Sequence, residues 1–253
     1  MNYENVGIGI LDLYDQNCLD DCINSLSFFN KENIIVASLT NNKINLENTI
    51  KYSTQTPLAT LRNYLISQFR IKKLKYYFLI HSNQIIKNNN IIDDTLELAS
   101  TFGCWFLTGY GEKFLALEDD SGKNLNISKK LNTDFLFILN GVIKNNGFFD
   151  ERYFNGKDLD VVDYILKLKT KKVHPPTGYY PTIDSSWVQS KQVKATAVGY
   201  KDEVDNNDKS LQLSYAYFYH NHKYIPNQND PIPASSDELL KAMEEIQNNY
   251  AKK

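Results

Sequence analysis

Leu58-Ala-Thr-Leu-Arg62-Asn63-Tyr-Leu-Ile66, followed by Lys75-Tyr-Tyr-Phe-Leu-Ile80-His81-Ser82-Asn83, is the stretch on which the reading of the fold turns. Pro57 suits the first turn of a helix and Thr56 its cap, so a helix is expected from Leu58 to Phe69. The run from Lys75 to Ile80 is short, apolar and aromatic, as a buried strand should be. It stops at three polar residues, His81, Ser82 and Asn83. A helix that feeds a buried strand is a unit of an α/β sheet, in which ligands sit beyond the carboxyl ends of the strands.

Working outward, Val6 to Leu13 reads as a buried first strand. Leu19, Cys22, Ile23, Leu26 and Phe29 have helical spacing within Asn17 to Phe29. Asn33 to Leu39 is a β-branched run closed by Thr40-Asn41-Asn42. A β-α-β opening of this kind implies a right-handed crossover and a parallel pair. Downstream, a helix is expected over 93–100 and strands over 105–108, 113–117 and 134–139, with turn chemistry at Glu118 to Gly122. A helix follows over 158–169. The predicted fold is therefore α/β, with a mixed, mostly parallel sheet flanked by helices. The loops after Leu11, Leu39 and Ile80 are the candidate site segments. The last part differs: an aromatic helix over 211–223, a Pro-bounded break over 226–233, and a capping box at Ser235 to Glu238 opening a final helix to about Ala251. We divide the chain into a domain over 1–190 and a C-terminal helical extension over 191–253.

Composition narrows the function classes. The chain has 253 residues and a formal net charge of -2, so general attraction to nucleic acid or to an anionic membrane surface is not expected. Three cysteines, Cys18, Cys22 and Cys104, form no disulfide framework, and Cys18 and Cys22 share a helix face at i, i+4. No signal peptide and no membrane span are readable. The expectation is a soluble, cytoplasmic protein.

Three segments in order resemble the family 2 glycosyltransferases, which have the GT-A fold. The first is the Arg62-Asn63 helix with its strand, where the family has Ala-Arg-Asn and then a strand ending in Asp-x-Asp. The second is Gly147-Phe148-Phe149-Asp150-Glu151-Arg152-Tyr153-Phe154, similar to Gly-Gly-Phe-Asp-Glu-x-Phe. The third is Gly156-Lys157-Asp158-Leu159-Asp160, similar to Gly-Glu-Asp-x-Asp at a helix start. The resemblance covers about residues 6 to 175. It implies transfer of a sugar from a nucleotide-sugar donor to a hydroxyl acceptor, with Mn²⁺ or Mg²⁺ as the cofactor where a metal is used. On this resemblance Asp158 is the catalytic base, Arg62, Asn63, Thr40 and Asn41 bind the donor, and His81 and Asn83 occupy the metal-ligand positions. Asp160 and Trp187 are the acceptor-binding candidates, Trp187 from a Tyr-rich stretch suited to stacking on sugar rings.

The chain departs from the family at three acidic positions. His81-Ser82-Asn83 stands for Asp-x-Asp, no acid follows the second strand, and Lys157 replaces the Glu before Asp158. Two readings stay open. One is a transferase that works without a metal. The other is a catalytically inactive GT-A protein with a structural, assembly or glycan-binding role, for instance a component of a virus or phage particle, with protein partners.

Overall fold

The structure is a computed structural model that describes residues 3–110, 113–153, 159–170, 180–197 and 209–222. It begins as the sequence predicts, with strand β1 (Val6–Asp12), helix α1 (Gln16–Ser25), strand β2 (Ile34–Ser38), helix α2 (Leu58–Ile71) and strand β4 (Tyr76–His81), and adds a short β3 (Thr49–Lys51) between β2 and α2. There follow β5 (Gln84–Ile86), α3 (Ile91–Phe102), β6 (Phe106–Thr108), β7 (Lys113–Glu118), β8 (Asn124–Ser128), β9 (Phe135–Leu139), α4 (Asn140–Asn146), α5 (Leu159–Thr170), β10 (Tyr180–Thr182), β11 (Val188–Ser190) and α6 (Lys209–His222). The expected final helix lies outside the described residues.

The main sheet has nine strands in the order β3-β2-β1-β4-β9-β6-β10-β8-β7. β1, β2, β3 and β4 are mutually parallel. β9 runs against β4 and β6, and β8 against β10 and β7, so only these two strands oppose the rest. The fold class is the expected mixed α/β sheet, mostly parallel and flanked by helices. A separate two-stranded ribbon pairs β11 with β5.

Alternation along the buried strands divides the core into two layers. Phe78 and Ile80 of β4 face the layer that holds Leu19 and Cys22 of α1 with Leu26, Phe29 and Ile91. Tyr77 and Leu79 face the layer built from α2 and α5, with Leu61, Leu65, Phe69, Val161 and Tyr164. Two glycines let α2 sit close on β1. A Cβ on Gly7 would lie 2.5 Å from Phe69 Cδ1, and one on Gly9 would lie 2.8 Å from Leu65 Cδ1. This close seating sets the depth of Arg62, which lies on the same buried stripe of α2 as Leu58, Leu65 and Phe69.

Two local expectations are corrected. Thr56 does not cap α2: the cap position is Pro57, with no side-chain hydrogen bond. The first helix ends at Ser25 rather than Phe29, because Leu26 N turns back to Ile23 O and Phe29 N to Leu26 O. Its start is capped by Asp15, which accepts from Cys18 N at 2.9 Å. All three cysteines are buried thiols. Burial pushes Cys18 up to about 11 and Cys104 up to about 12, so neither is a ready thiolate.

Candidate functional site

The carboxyl edge of the sheet carries two polar clusters, one on each face. Strand alternation puts Asp12 and Ser38 on the α1 face, in line with Ile10 and Val36. Asp12 is fully buried and gathers four donors. Ser38 Oγ lies 2.7 Å and Thr40 Oγ1 2.5 Å from Oδ2, while Asn42 Nδ2 lies 3.0 Å and Ser82 Oγ 3.2 Å from Oδ1. The ends of β1, β2 and β4 are thereby tied to one carboxylate. Burial raises the pKa of Asp12, and the four hydrogen bonds only partly offset it. Thr40, expected at the donor, bonds Asp12. Asn41 is exposed beside it.

On the α2 face the groups are charged. The Arg62 guanidinium is fully buried and donates to Asp160 Oδ2 at 2.6 Å. It also lies over the ring of Phe149, 5.9 Å from the centroid. Asp160 stands in the first turn of α5, where a carboxylate also suits the helix dipole. His81, in line with Leu79, is fully buried, and its Nδ1 lies 3.1 Å from Asp134 Oδ1. Asp134 precedes β9. Burial pushes its carboxyl up, but the charge and hydrogen bond of His81, the bond from Asn83 and the charge of Arg62 outweigh that and hold it below the usual carboxylate range. Asp134 was missed in the sequence; the only signal was a lone acid at the mouth of the apolar run 135–139.

The three segments that carried the resemblance therefore meet. Asn63 clasps the second of them: its Nδ2 donates to Phe149 O at 2.9 Å and to Glu151 Oε1 at 2.7 Å, and its Oδ1 accepts from Phe149 N at 3.0 Å. Arg62 holds the start of α5, which continues the third. Asp150 belongs to a neighbouring turn. Burial opposes its ionisation, but Arg152 and Tyr217 hold it down to about 2. Asp158, the expected base, lies outside the described residues, as do Gly156 and Lys157. Trp187 is half-buried at the far end of the β5–β11 ribbon, where its carbonyl accepts from Lys87 N at 2.8 Å, and it is not part of either cluster.

The residues present do not fit a hard divalent cation at the end of β4. Mn²⁺ and Mg²⁺ seek carboxylate and water oxygens. His81 is fully buried against Asp134. The Asn83 amide donates to Ser190 Oγ at 3.3 Å, and its Oδ1 accepts from Gln84 Nε2 at 2.9 Å. Among the described residues no group of three or more His, Cys, Asp or Glu is arranged for a metal.

A strap of chain passes over these strand ends. Lys191 N donates to Asn83 O, and Thr196 N and Ala197 N to Leu13 O at 2.9 and 3.0 Å. Lys191 forms an ion pair with Asp21. Further out, at the rim of the sheet, a polar groove of about 350 Å³ is lined by Lys113, Asn124, Asn126, Thr182, Asp184 and Ser185 over Ile183. Among the described residues no helix is long and apolar enough to cross a membrane.

No protein-family model and no curated protein matches the sequence. Among solved structures the chain is similar to TarS 1–349 of S. aureus, at 14% identity over 73% of this chain and 60% of that one, with a TM-score of 0.45. It is similar to the mannosyltransferase PcManGT of Pyrobaculum calidifontis, in complex with GDP-Man and Mn²⁺, at 8% identity over 98% and 73% of the two chains, with a TM-score of 0.46. A197 from STIV is similar at 12% identity over 72% and 82%, with a TM-score of 0.39. The chain spans about 60% of the length of the TarS fragment.

Proposed function

We propose that the chain is a GT-A-type glycosyltransferase that moves a sugar from a nucleotide-sugar donor to a hydroxyl acceptor without a carboxylate-held metal. One observation carries this reading: Arg62, Asn63, Glu151 and Asp160, drawn from three separate segments of the motif pattern, are joined by short hydrogen bonds beside the carboxyl end of β4. In this reading Arg62 and Asn63 are not donor contacts themselves. Arg62 fixes the start of α5 through Asp160, and Asn63 fixes the turn at Phe149 and Glu151. The acceptor oxygen attacks the anomeric carbon, the bond from that carbon to the diphosphate oxygen breaks, the nucleoside diphosphate leaves with the electron pair, and Asp158 takes the hydroxyl proton. Thr40, Asn41 and the strap around Lys191 border the donor. The domain over 1–190 is the transferase unit, and 191–253 is its helical extension.

The test is calorimetric titration of UDP-sugars and GDP-sugars with EDTA or with Mn²⁺, followed by turnover of Asp158→Asn. Binding in EDTA, with turnover reduced by about a hundredfold or more in the variant, is expected. Turnover that survives the substitution removes Asp158 from the reaction.

A second reading is a non-catalytic protein on the same scaffold. Its support is that Asp12, Arg62 and His81 each already have a protein partner, and that the strap covers the ends of β1 and β4. Exposed Leu213 and Tyr219 on α6 then belong to a docking face. It predicts no nucleotide binding to the intact chain.

A further inference from the structure

The end of β4 lacks the acids of Asp-x-Asp, yet a carboxylate reaches it from a different strand. Phe135 of β9 pairs with Ile80, so the antiparallel register sets Asp134 opposite His81. The backbone extends this pairing, with His81 N donating to Asp134 O at 2.8 Å. Both carboxylate oxygens are then gripped: Oδ1 by His81 at 3.1 Å, and Oδ2 by Gln84 Nε2 at 3.1 Å. Gln84 is itself fixed, since its amide also donates to Asn83 Oδ1 at 2.9 Å and to Ser190 Oγ at 3.0 Å. Asn132 Oδ1 accepts from Asp134 N at 2.9 Å and holds the approach to the strand. A carboxylate offers about four acceptor directions, so one bonded by His81, Gln84 and Asn83 still has capacity. The Asp134 side chain is 24% exposed, whereas His81 is fully buried. The acid, not the imidazole, meets whatever occupies the edge.

We propose that Asp134 holds the sugar of the donor through its hydroxyl groups, with His81 and Gln84 as its positioning residues. The inference rests on the nucleotide-sugar reading above. The strand order β2-β1-β4-β9 supplies the direction. On the reading above Thr40 and Asn41, which follow β2, border the donor, so a donor laid from there along the edge toward β9 brings its sugar beside Asp134. A hydrogen bond from a hydroxyl to an ionised acid is among the stronger neutral-to-charged contacts. It separates a nucleotide sugar from the bare nucleotide, because only the former brings those hydroxyls.

Calorimetry on the full chain in EDTA tests this with four probes: UDP, UDP-glucose, GDP and GDP-mannose. The wild type should bind at least one nucleotide sugar more tightly than its parent nucleotide. Asp134→Asn should weaken that nucleotide sugar about tenfold and the parent nucleotide less than about twofold. Asp134→Glu, which keeps the charge but moves the carboxylate, should show the same split if Asp134→Asn fails to fold. His81→Gln should show it in smaller degree. Equal loss for both ligands, or loss for neither, in a variant with an unchanged melting temperature overturns the role of Asp134 and leaves the donor reading standing. A wild type that binds none of the four probes overturns both.

Discussion

On the α1 face of the sheet's carboxyl edge four neutral donors surround one acid; on the α2 face acids are matched to a guanidinium and an imidazole. Asp12 receives three hydroxyls and an amide. Asp160 and Asp134 face Arg62 and His81. The two solutions to the same problem, buried polar groups at strand ends, differ in what they do to charge. Burial leaves Asp12 harder to ionise than usual despite its four neutral donors, whereas His81, Asn83 and Arg62 hold Asp134 below the usual carboxylate range against its burial. The first arrangement ties three strands together. The second keeps a negative charge at the point where the motif segments converge. Chemistry is therefore expected from the α2 face, and structural service from the α1 face.

The sharpest break in this contrast is Arg62→Met. Removing one partner of a buried ion pair leaves the other uncompensated, and about 3–5 kcal/mol of stability should disappear in urea denaturation. The double variant Arg62→Met with Asp160→Leu should recover much of that loss, since an apolar pair of similar bulk needs no compensation. If the double variant is no better than the single, the pair is not the source of the cost.

Asp12→Ala should come next, at about 2–3 kcal/mol, because Ser38, Thr40, Asn42 and Ser82 lose their common acceptor in a site with little water. Thr40 is only partly buried, so part of that loss is recovered by hydration. A larger penalty than that of Arg62→Met would reverse the ranking of the two faces.

A smaller effect, opposite in sign on the two faces, appears with pH. The folded pKa of Asp12 is raised, so its contribution is complete below the ordinary 3.8 and is lost as pH climbs through the folded value. The folded pKa of Asp134 is depressed, so its contribution is present above 3.8 and is lost as pH falls through the folded value. Asp12→Asn should therefore cost less at neutral pH than in acid, and Asp134→Asn more. Urea midpoints of both variants against wild type, from about pH 3 to 7, give two slopes. Slopes of the same sign would mean that the two faces are electrostatically alike.

These clusters were unequally legible in the sequence. The sheet was readable because β1, β2, β4 and β9 are continuous apolar runs and the first helices show a clear period. Arg62 sits at the i, i+4 and i, i+3 positions of an apolar stripe, a signal of burial that the sequence reading, which placed Arg62 at the donor, did not use. Its acid partner was not visible, since Asp160 is 98 residues away in the chain. Asp12 looked like the end of a strand, because its four donors are polar residues common in any loop. Asp134 was hidden for a similar reason: Asn132-Thr133-Asp134 has turn composition, and only the antiparallel insertion of β9 beside β4 brings it to His81. Long-range register, rather than local pattern, assembles the site. The short strands β3, β5, β10 and β11 were likewise unread, being three residues each and set by their neighbours.

The smallest expected effect concerns the strap that joins the two faces. Its first half bonds Asn83 beside the charged cluster, and its second half bonds Leu13 next to Asp12. Between them the Lys191 ammonium reaches Asp21 and the carbonyl of Asn17 at 3.3 Å. The Asp21 side chain is half exposed, so the ion pair is screened and is worth at most about 1 kcal/mol. Lys191→Met should accordingly leave the urea midpoint nearly unchanged. Local opening is a different quantity from global unfolding, because a strap that buries little apolar surface can detach while the sheet stays intact. Hydrogen exchange at the amides of Lys191, Thr196 and Ala197 should therefore quicken in the variant, with no change at Leu79 in the centre of β4. Acceleration at 191 alone would mean that the two halves of the strap open separately, each belonging to the face it covers. Acceleration at all three amides would make the strap one unit, and the two clusters would then share a single cover that a ligand entering either side must displace.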